Sequence, residues 1–318
     1  MLDTRISQEL ITVFGSVNAD MIFGMDRLPA PGQTLLARDL TIEAGGKGAN
    51  QAVAAARDGA RVTMVGAVGR DALAEAALAG LREGGVDLAH LALSERPTGC
   101  ASVQTDAQGR NQIVVALGAN AEISHRQIDE GLLERSRIIL LQLESPLAQV
   151  ESVILRAKKA GVFTILNLAP AAPVPLESLR ACSMIVVNED EAQALATWIG
   201  CGPDATALNR ALGVDVVRTL GSRGAEACSK SRGAFQSAAR SITPVDTTAA
   251  GDCYIGVLAA EFARGKSLPE AMQRAGTAAA LCCLRAGSQS SLPRRAETDQ
   301  ALEHWGANCV EAAANGRH

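Results

Sequence analysis

The chain has 318 residues, 47% of them hydrophobic and 20% charged, which suffices to bury a sizeable core in one large or two modest domains. Thirty Lys and Arg against 34 Asp and Glu leave a net charge of −4, and aromatic residues make up 3%, so the composition supplies neither the basic surface nor the stacking platform of a nucleic-acid binder. The first ten residues lack the apolar stretch of a signal peptide and no run reaches the roughly 18 apolar residues of a membrane span, so a cytoplasmic protein without a membrane partner is expected.

In chain order, short apolar β-branched runs fall at 11–15, 61–66, 137–142, 163–167, 184–188 and 215–219. Such runs predict strands buried on both faces. Helical patterns lie between them. The clearest, SPLAQVESVILRAKKAG, predicts Ser145 as N-cap, Pro146 as first helical residue, Leu147, Val150 and Ile154 on one face and Gly161 as the stop. This alternation predicts an α/β fold with a mostly parallel central sheet and helices on both sides.

Two stretches break the rhythm, 21–44 and 98–117, with short alternating segments joined by turn residues such as Pro-Gly and Gln-Gly. They predict a small antiparallel sheet inserted into one catalytic body spanning 1–318, acting as a lid, a dimer interface or both. The tail after Glu297 is expected to be loosely held. Eight cysteines without a CxxC pair and four histidines without zinc-like spacing read as thiols and imidazoles in a reducing compartment.

The chemistry concentrates in a few stretches. In DTTAAGD (246–252), Ala249, Ala250 and Gly251 have almost no side chain, so the free N-H groups of a helix start can approach an anion closely. Asp252 repels an anion, and its charge makes sense there as a base taking a proton from a hydroxyl that attacks a bound phosphoryl group. The same pattern also reads as an ordinary helix cap. GGKGANQAVAAA (45–56) runs into another helix without the spacing of a P-loop, and no dinucleotide fingerprint follows a strand. Its Lys and Asn beside bare backbone suit a polyhydroxylated ligand, and a tight turn would use the same residues. Asn18 and Asp20 follow a predicted strand and share a face, Glu144 follows another, and Asn188 and Glu191 a third. These are the strand ends where open α/β sheets bind ligands, and where such residues also cap helices.

Taken in order, GSVNAD, GGKGANQAVAAA, QLES, VNEDEA, TLGSRGA and DTTAAGD resemble the phosphofructokinase-B-type, ribokinase-like family of carbohydrate and nucleoside kinases, from about residue 11 to 294. The resemblance implies a three-layer α/β/α ribokinase-like fold whose small β-sheet lid often clasps a homodimer. It implies transfer of phosphate from ATP to a hydroxymethyl group, with magnesium alongside the nucleotide and potassium as an activating monovalent cation. Asp252 matches the base and Ala249, Ala250 and Gly251 the anion hole. Asn18, Asp20, Gly46, Lys47, Asn50 and Glu144 match sugar contacts. Asn188 and Glu191 match the NxxE pattern that shapes the magnesium and phosphate environment largely through water, and Thr219, Gly221, Ser222 and Gly224 match a loop along the nucleotide. Asp246, Thr248, Cys282, Arg285, Gly287 and Ser291 match the monovalent-cation site. Gly287 would otherwise be a helix C-cap.

Three departures stand out. Cys253, Tyr254 and Ile255 replace the family's usual Thr-Phe-Asn, which points to altered packing; NLAPAAP leaves the role of Asn167 open; and the N-terminal residues have no counterpart. The expected acceptor is D-ribose, phosphorylated at O5 to D-ribose 5-phosphate, since a nucleoside wants aromatic surface for its base and a sugar acid an added Arg clamp. Deoxyribose, fructose, a ketodeoxy sugar acid or a nucleoside are the other acceptors, and a non-catalytic sugar-binding protein is the rival class.

Overall fold

The computed structural model describes residues 10–108 and 110–314, with 306–314 as backbone alone; the N-terminal extension, residues 315–318 and the Cys309 side chain lie outside the described residues. The strands are β1 (Leu10–Phe14), β2 (Asn18–Gly24), β3 (Asp39–Gly45), β4 (Arg61–Gly69), β5 (Asp87–Ser94), β6 (Gly99–Thr105), β7 (Asn111–Ala116), β8 (Ser136–Leu141), β9 (Phe163–Asn167), β10 (Met184–Val187), β11 (Asp215–Thr219), β12 (Ala225–Ser229) and β13 (Gly233–Ser237). The helices are α1 (Lys47–Arg57), α2 (Ala72–Glu83), α3 (Glu130–Arg135), α4 (Leu147–Ala160), α5 (Leu176–Ala181), α6 (Glu189–Ile199), α7 (Ala205–Leu212), α8 (Ala250–Ala263), α9 (Leu268–Cys282) and α10 (Arg295–Ala314).

The large sheet has the order β13-β12-β11-β10-β9-β8-β1-β4-β5. From β11 to β5 every pair is parallel, and β12 and β13 add an antiparallel hairpin at one edge. All six apolar runs form strands of this sheet, because each strand buries both faces. In β8, Ile138 and Leu140 join one core with α1, α8 and α9, while Ile139 and Leu141 join the other with α4, α6 and α7. Each such fully buried side chain contributes about 1.5–3 kcal/mol, which is what makes the runs legible.

The second sheet, order β3-β2-β6-β7, forms where the alternating stretches lie. It is mixed and not purely antiparallel, since β2 pairs β6 in parallel from Asn18↔Gly99 to Gly24↔Thr105. The two strands come from separate insertions that both leave the body in the same direction, so a hairpin cannot join them.

Helix α4 begins one residue later than expected. Pro146 is the N-cap and Ser145 precedes it, its buried hydroxyl lacking a partner, while Gly161 ends the helix with φ 72° as predicted. The segment after Glu297 is not loose at its start. Thr298 is buried and Asp299 accepts from Arg274 Nη1 at 2.5 Å, docking α10 on α9. No helix among the described residues is long and apolar enough to cross a membrane.

Candidate active site

Helix α8 starts without a side-chain cap. Its N-cap Ala249 has φ 58°, a left-handed conformation that costs a non-glycine residue about 1–2 kcal/mol. The turn leaves first-turn amides bare: a β-carbon on Gly251 would meet nothing within 4 Å. Ala250 N donates to Thr247 O at 3.3 Å, while the amides of Ala249, Gly251 and Asp252 make no hydrogen bond among the described residues.

The carboxylate of Asp252 is 9% exposed, and each of its oxygens accepts one amide from α1. Asn50 Nδ2 donates to Oδ2 at 3.0 Å and Gln51 Nε2 to Oδ1 at 2.9 Å. Asn50 is held from behind, where its Oδ1 accepts from Ser288 Oγ at 3.3 Å and Gln289 Nε2 at 3.1 Å.

At the head of α1, Gly46 has φ 88°, and a β-carbon there would stand 2.9 Å from Asn18 N and 3.0 Å from Ser16 O. Only glycine lets the two chain segments touch. Glu144 Oε2 accepts from Ser16 Oγ at 2.6 Å and from Lys47 N at 3.1 Å, fixing the end of β8 to this turn. Asn18 is buried, and its Oδ1 accepts from Asn120 Nδ2 at 2.8 Å. Asn18 and Asp20 begin strand β2 of the second sheet, on one face of it.

Charge gathers here. Burial raises the Asp20 carboxyl to about 7, with the charges of Glu144, Glu43 and Asp252 adding to the rise and Lys47 opposing it. Its Oδ1 has no partner. Lys47 is the counter-charge: Asp252 first, then Glu144, Glu191 and Asp20 raise its ammonium, so it stays protonated despite burial.

On the other side of Ala250 and Gly251 lies a cavity of about 500 Å³, lined by Thr219, Gly221, Ser222 and Gly224 and, across from them, by Tyr254 and Ala279. Asn188 and Glu191 form a reciprocal cap of α6, Asn188 N donating to Glu191 Oε2 and Glu191 N to Asn188 Oδ1, both at 2.8 Å. Burial raises the Glu191 carboxyl, against the Asn188 amide and the Lys47 charge that lower it, so it lies within electrostatic reach of Lys47. Cys253, Tyr254 and Ile255 are all buried in the core.

The loop at Asp246 meets the segment after α9. Asp246 Oδ1 accepts from Thr248 N at 2.9 Å and Thr248 Oγ1 at 2.7 Å, and its Oδ2 accepts from Gly287 N at 3.0 Å. The next amide, Ser288 N, donates to Glu43 Oε2 on β3 at 3.1 Å. Cys282 Sγ lies 3.7 Å from Thr248 O and 3.0 Å from Ser291 Oγ. Gly287 is not a C-cap: α9 ends at Cys282 with Cys283 as its cap, and Arg285 points outward to Glu297.

The structure therefore brings Asn18, Asp20, Gly46, Lys47, Asn50, Glu144 and Asp252 together, sets Thr219, Gly221, Ser222 and Gly224 along the adjoining cavity, and joins Asp246 to Gly287. Sequence reasoning missed Gln51, Gln142 and Asn120. Gln51 stood inside a quoted motif, but nothing in its spacing marks it as a partner of Asp252.

Residues 8–295 match the pfkB family carbohydrate kinase model. The ribokinase of Haemophilus influenzae is 36% identical over 306 residues, 93% of this chain and 99% of its own. The ribokinase of Thermotoga maritima superposes with a TM-score of 0.84 at 31% identity, covering 92% of this chain and 99% of that one. The Arabidopsis thaliana ribokinase complexed with ribose and ATP gives the same score and identity, over 92% and 98%. A fold of this kind, with a buried charged cluster at a bare helix start that also lines a cavity, is that of a carbohydrate kinase. The chain belongs to the pfkB family of carbohydrate kinases.

Proposed function

We propose that this protein phosphorylates D-ribose at O5 with ATP, giving D-ribose 5-phosphate and ADP. One observation carries the reading: the buried Asp252 carboxylate, within reach of the Lys47 and Asp20 charges, directly follows Ala250 and Gly251, which line the 500 Å³ cavity. In this reading Asn18, Asp20, Gly46, Lys47, Asn50 and Glu144 bind the sugar, and Asp252 takes the O5 proton as O5 attacks. The amides of the Ala249–Asp252 turn receive the charge of the transferred phosphoryl group, and Lys47 neutralises the carboxylates around it. The nucleotide lies along Thr219, Gly221, Ser222 and Gly224.

Magnesium fits near Asn188 and Glu191, held through water and the phosphates, and when bound it supplies neutralisation of the phosphate charge. Potassium fits the turn of Asp246, Thr248, Cys282, Arg285, Gly287 and Ser291 through carbonyl oxygens. The second sheet acts as a lid that excludes water from the pocket. Its face opposite Asn18 and Asp20 carries Leu40, Ile42 and Val114, 54%, 46% and 62% exposed, and this face joins two copies into a homodimer.

The test is ADP release measured over a panel of ribose, deoxyribose, fructose, sugar acids and nucleosides. Ribose is expected to give the highest kcat/KM; a fast alternative with ribose inert overturns the acceptor. Asp252→Asn is expected to lower kcat by about 10²–10⁴ or more with ribose affinity nearly unchanged.

A further inference from the structure

We propose that Gln51 is a positioning residue that aims the Asp252 carboxylate, oriented in turn by Gln142 and Asn167; this rests on Asp252 being the base. Gln51 is 0% exposed, so it cannot reach a ligand that enters from solvent. Its Nε2 uses both hydrogens, one on Asp252 Oδ1 at 2.9 Å and one on Asn167 Oδ1 at 3.0 Å. Its Oε1 accepts from Gln142 Nε2 at 2.6 Å.

Every amide in this chain has one workable orientation. Asn167 must present Oδ1 to Gln51, because its Nδ2 donates to Val186 O at 3.4 Å. Gln142 must present Nε2, because Gln51 offers it only an acceptor. Flipping Gln51 would set its Oε1 against two acceptors, Asp252 Oδ1 and Asn167 Oδ1, and its Nε2 against the Gln142 donor. Three buried amides from α1, β9 and the end of β8 thus hold one donor pointed at one carboxylate oxygen. Asn50, 6% exposed, holds the other oxygen from the pocket side. The two amides define the plane of the carboxylate before substrate arrives. Misplacement by about 1 Å costs on the order of 10² in rate, so such aim matters to catalysis. The arrangement gives Asn167, whose place in NLAPAAP the motif left open, a definite task.

The titratable groups that feel the Asp252 charge are Lys47 on α1, Asp20 on β2, Glu191 on α6 and Cys282 on α9. None belongs to the amide chain, so a variant at Gln51 changes the base without altering the other charges.

Two variants test this. Gln51→Leu removes the donor and is expected to lower kcat about tenfold to hundredfold with KM for ribose changed less than about threefold. Gln51→Glu keeps the volume, and so the fold, but places a second carboxyl against Asp252. Its kcat is expected to fall, with the acid limb of log kcat against pH moving up by about one unit. A merely structural role predicts an unmoved limb. If Asp252→Asn is inactive while Gln51→Glu keeps the parental acid limb and kcat, the positioning role is overturned and the base stands. If Asp252→Asn keeps activity, the base itself is wrong.

Discussion

A β-carbon on Gly256 would stand 2.5 Å from the carbonyl oxygen of Gln51, so α8 and α1 touch backbone to backbone one turn after Asp252. Ala54 Cβ and Ala55 N lie at 2.7 and 3.0 Å from the same point. The close crossing is what lets the short amides of Asn50 and Gln51 reach the Asp252 carboxylate. Gly256→Ala is expected to destabilise by about 1–3 kcal/mol, read by urea unfolding, and to lower kcat more than it raises KM. Gly276→Ala, where nothing stands within 4 Å, is expected to raise stability by about 0.5–1 kcal/mol in the same measurement.

Asp20 makes stability depend on pH in the unusual direction for a carboxylate. Its native value, about 7, lies above the unfolded one near 3.8, so the folded state holds the proton more tightly. Its contribution is complete below about pH 3.8 and is lost as pH rises through 7. Asp20→Asn is therefore expected to flatten the fall in Tm between pH 5 and pH 8, and to weaken ribose binding. Thermal unfolding across that range is the check; a variant whose profile parallels the parent contradicts it.

Asp58, 1% exposed at the end of α1, accepts from Arg274 Nη2 at 2.7 Å and from Arg264 Nη1 at 2.8 Å. Glu261 and Asp299 complete the set, tying α1 to α8, α9 and α10. Removing one partner strands buried arginine charge. Asp58→Ala is expected to cost about 3–5 kcal/mol in equilibrium unfolding, with kcat of the folded fraction near that of the parent.

Asp246→Ala is expected to abolish any potassium activation, leaving kcat flat against added salt at the unstimulated level, while unfolding free energy falls by about 1–2 kcal/mol for the lost amide bonds. Titration of activity with potassium chloride, using a chloride of a larger cation to hold ionic strength, separates the two effects. The Asp246 carboxyl lies below its usual range: burial pushes it up, but the Thr248 hydroxyl and the amides of Thr248 and Gly287 outweigh that push. It therefore stays ionised throughout a neutral assay.

The parallel body was legible because apolar runs buried on both faces leave a period-free hydrophobic signal, as in MIVV at β10. Strands β5 and β13 were missed, since partial exposure at the sheet edges dilutes that signal, and β12, though buried, reads AEACS without a β-branched residue. The parallel pairing of β2 with β6 was hidden because pairing between distant segments is written in no local pattern. Asp252, Lys47 and Gly46 were legible as motif residues. Gln51 and Gln142 were not: the contact between them joins positions 91 apart in sequence, and glutamine is common enough in helices and loops to carry no mark of its own. The Asn188/Glu191 pair was read both ways, and its capping geometry and its place beside Lys47 hold at once.

The consecutive amides of Gly287 and Ser288 are gripped from two sides, one by Asp246 from the loop before α8 and the other by Glu43 from the second sheet. The two N-H groups belong to successive peptide planes that meet at the Gly287 α-carbon, so a shift of one reaches the other through that residue's φ and ψ. Through Ser288 and Gln289 the same short segment also steadies Asn50. The loop before α8, the second sheet and the amide that holds one oxygen of Asp252 thus all bond to a single stretch of three residues.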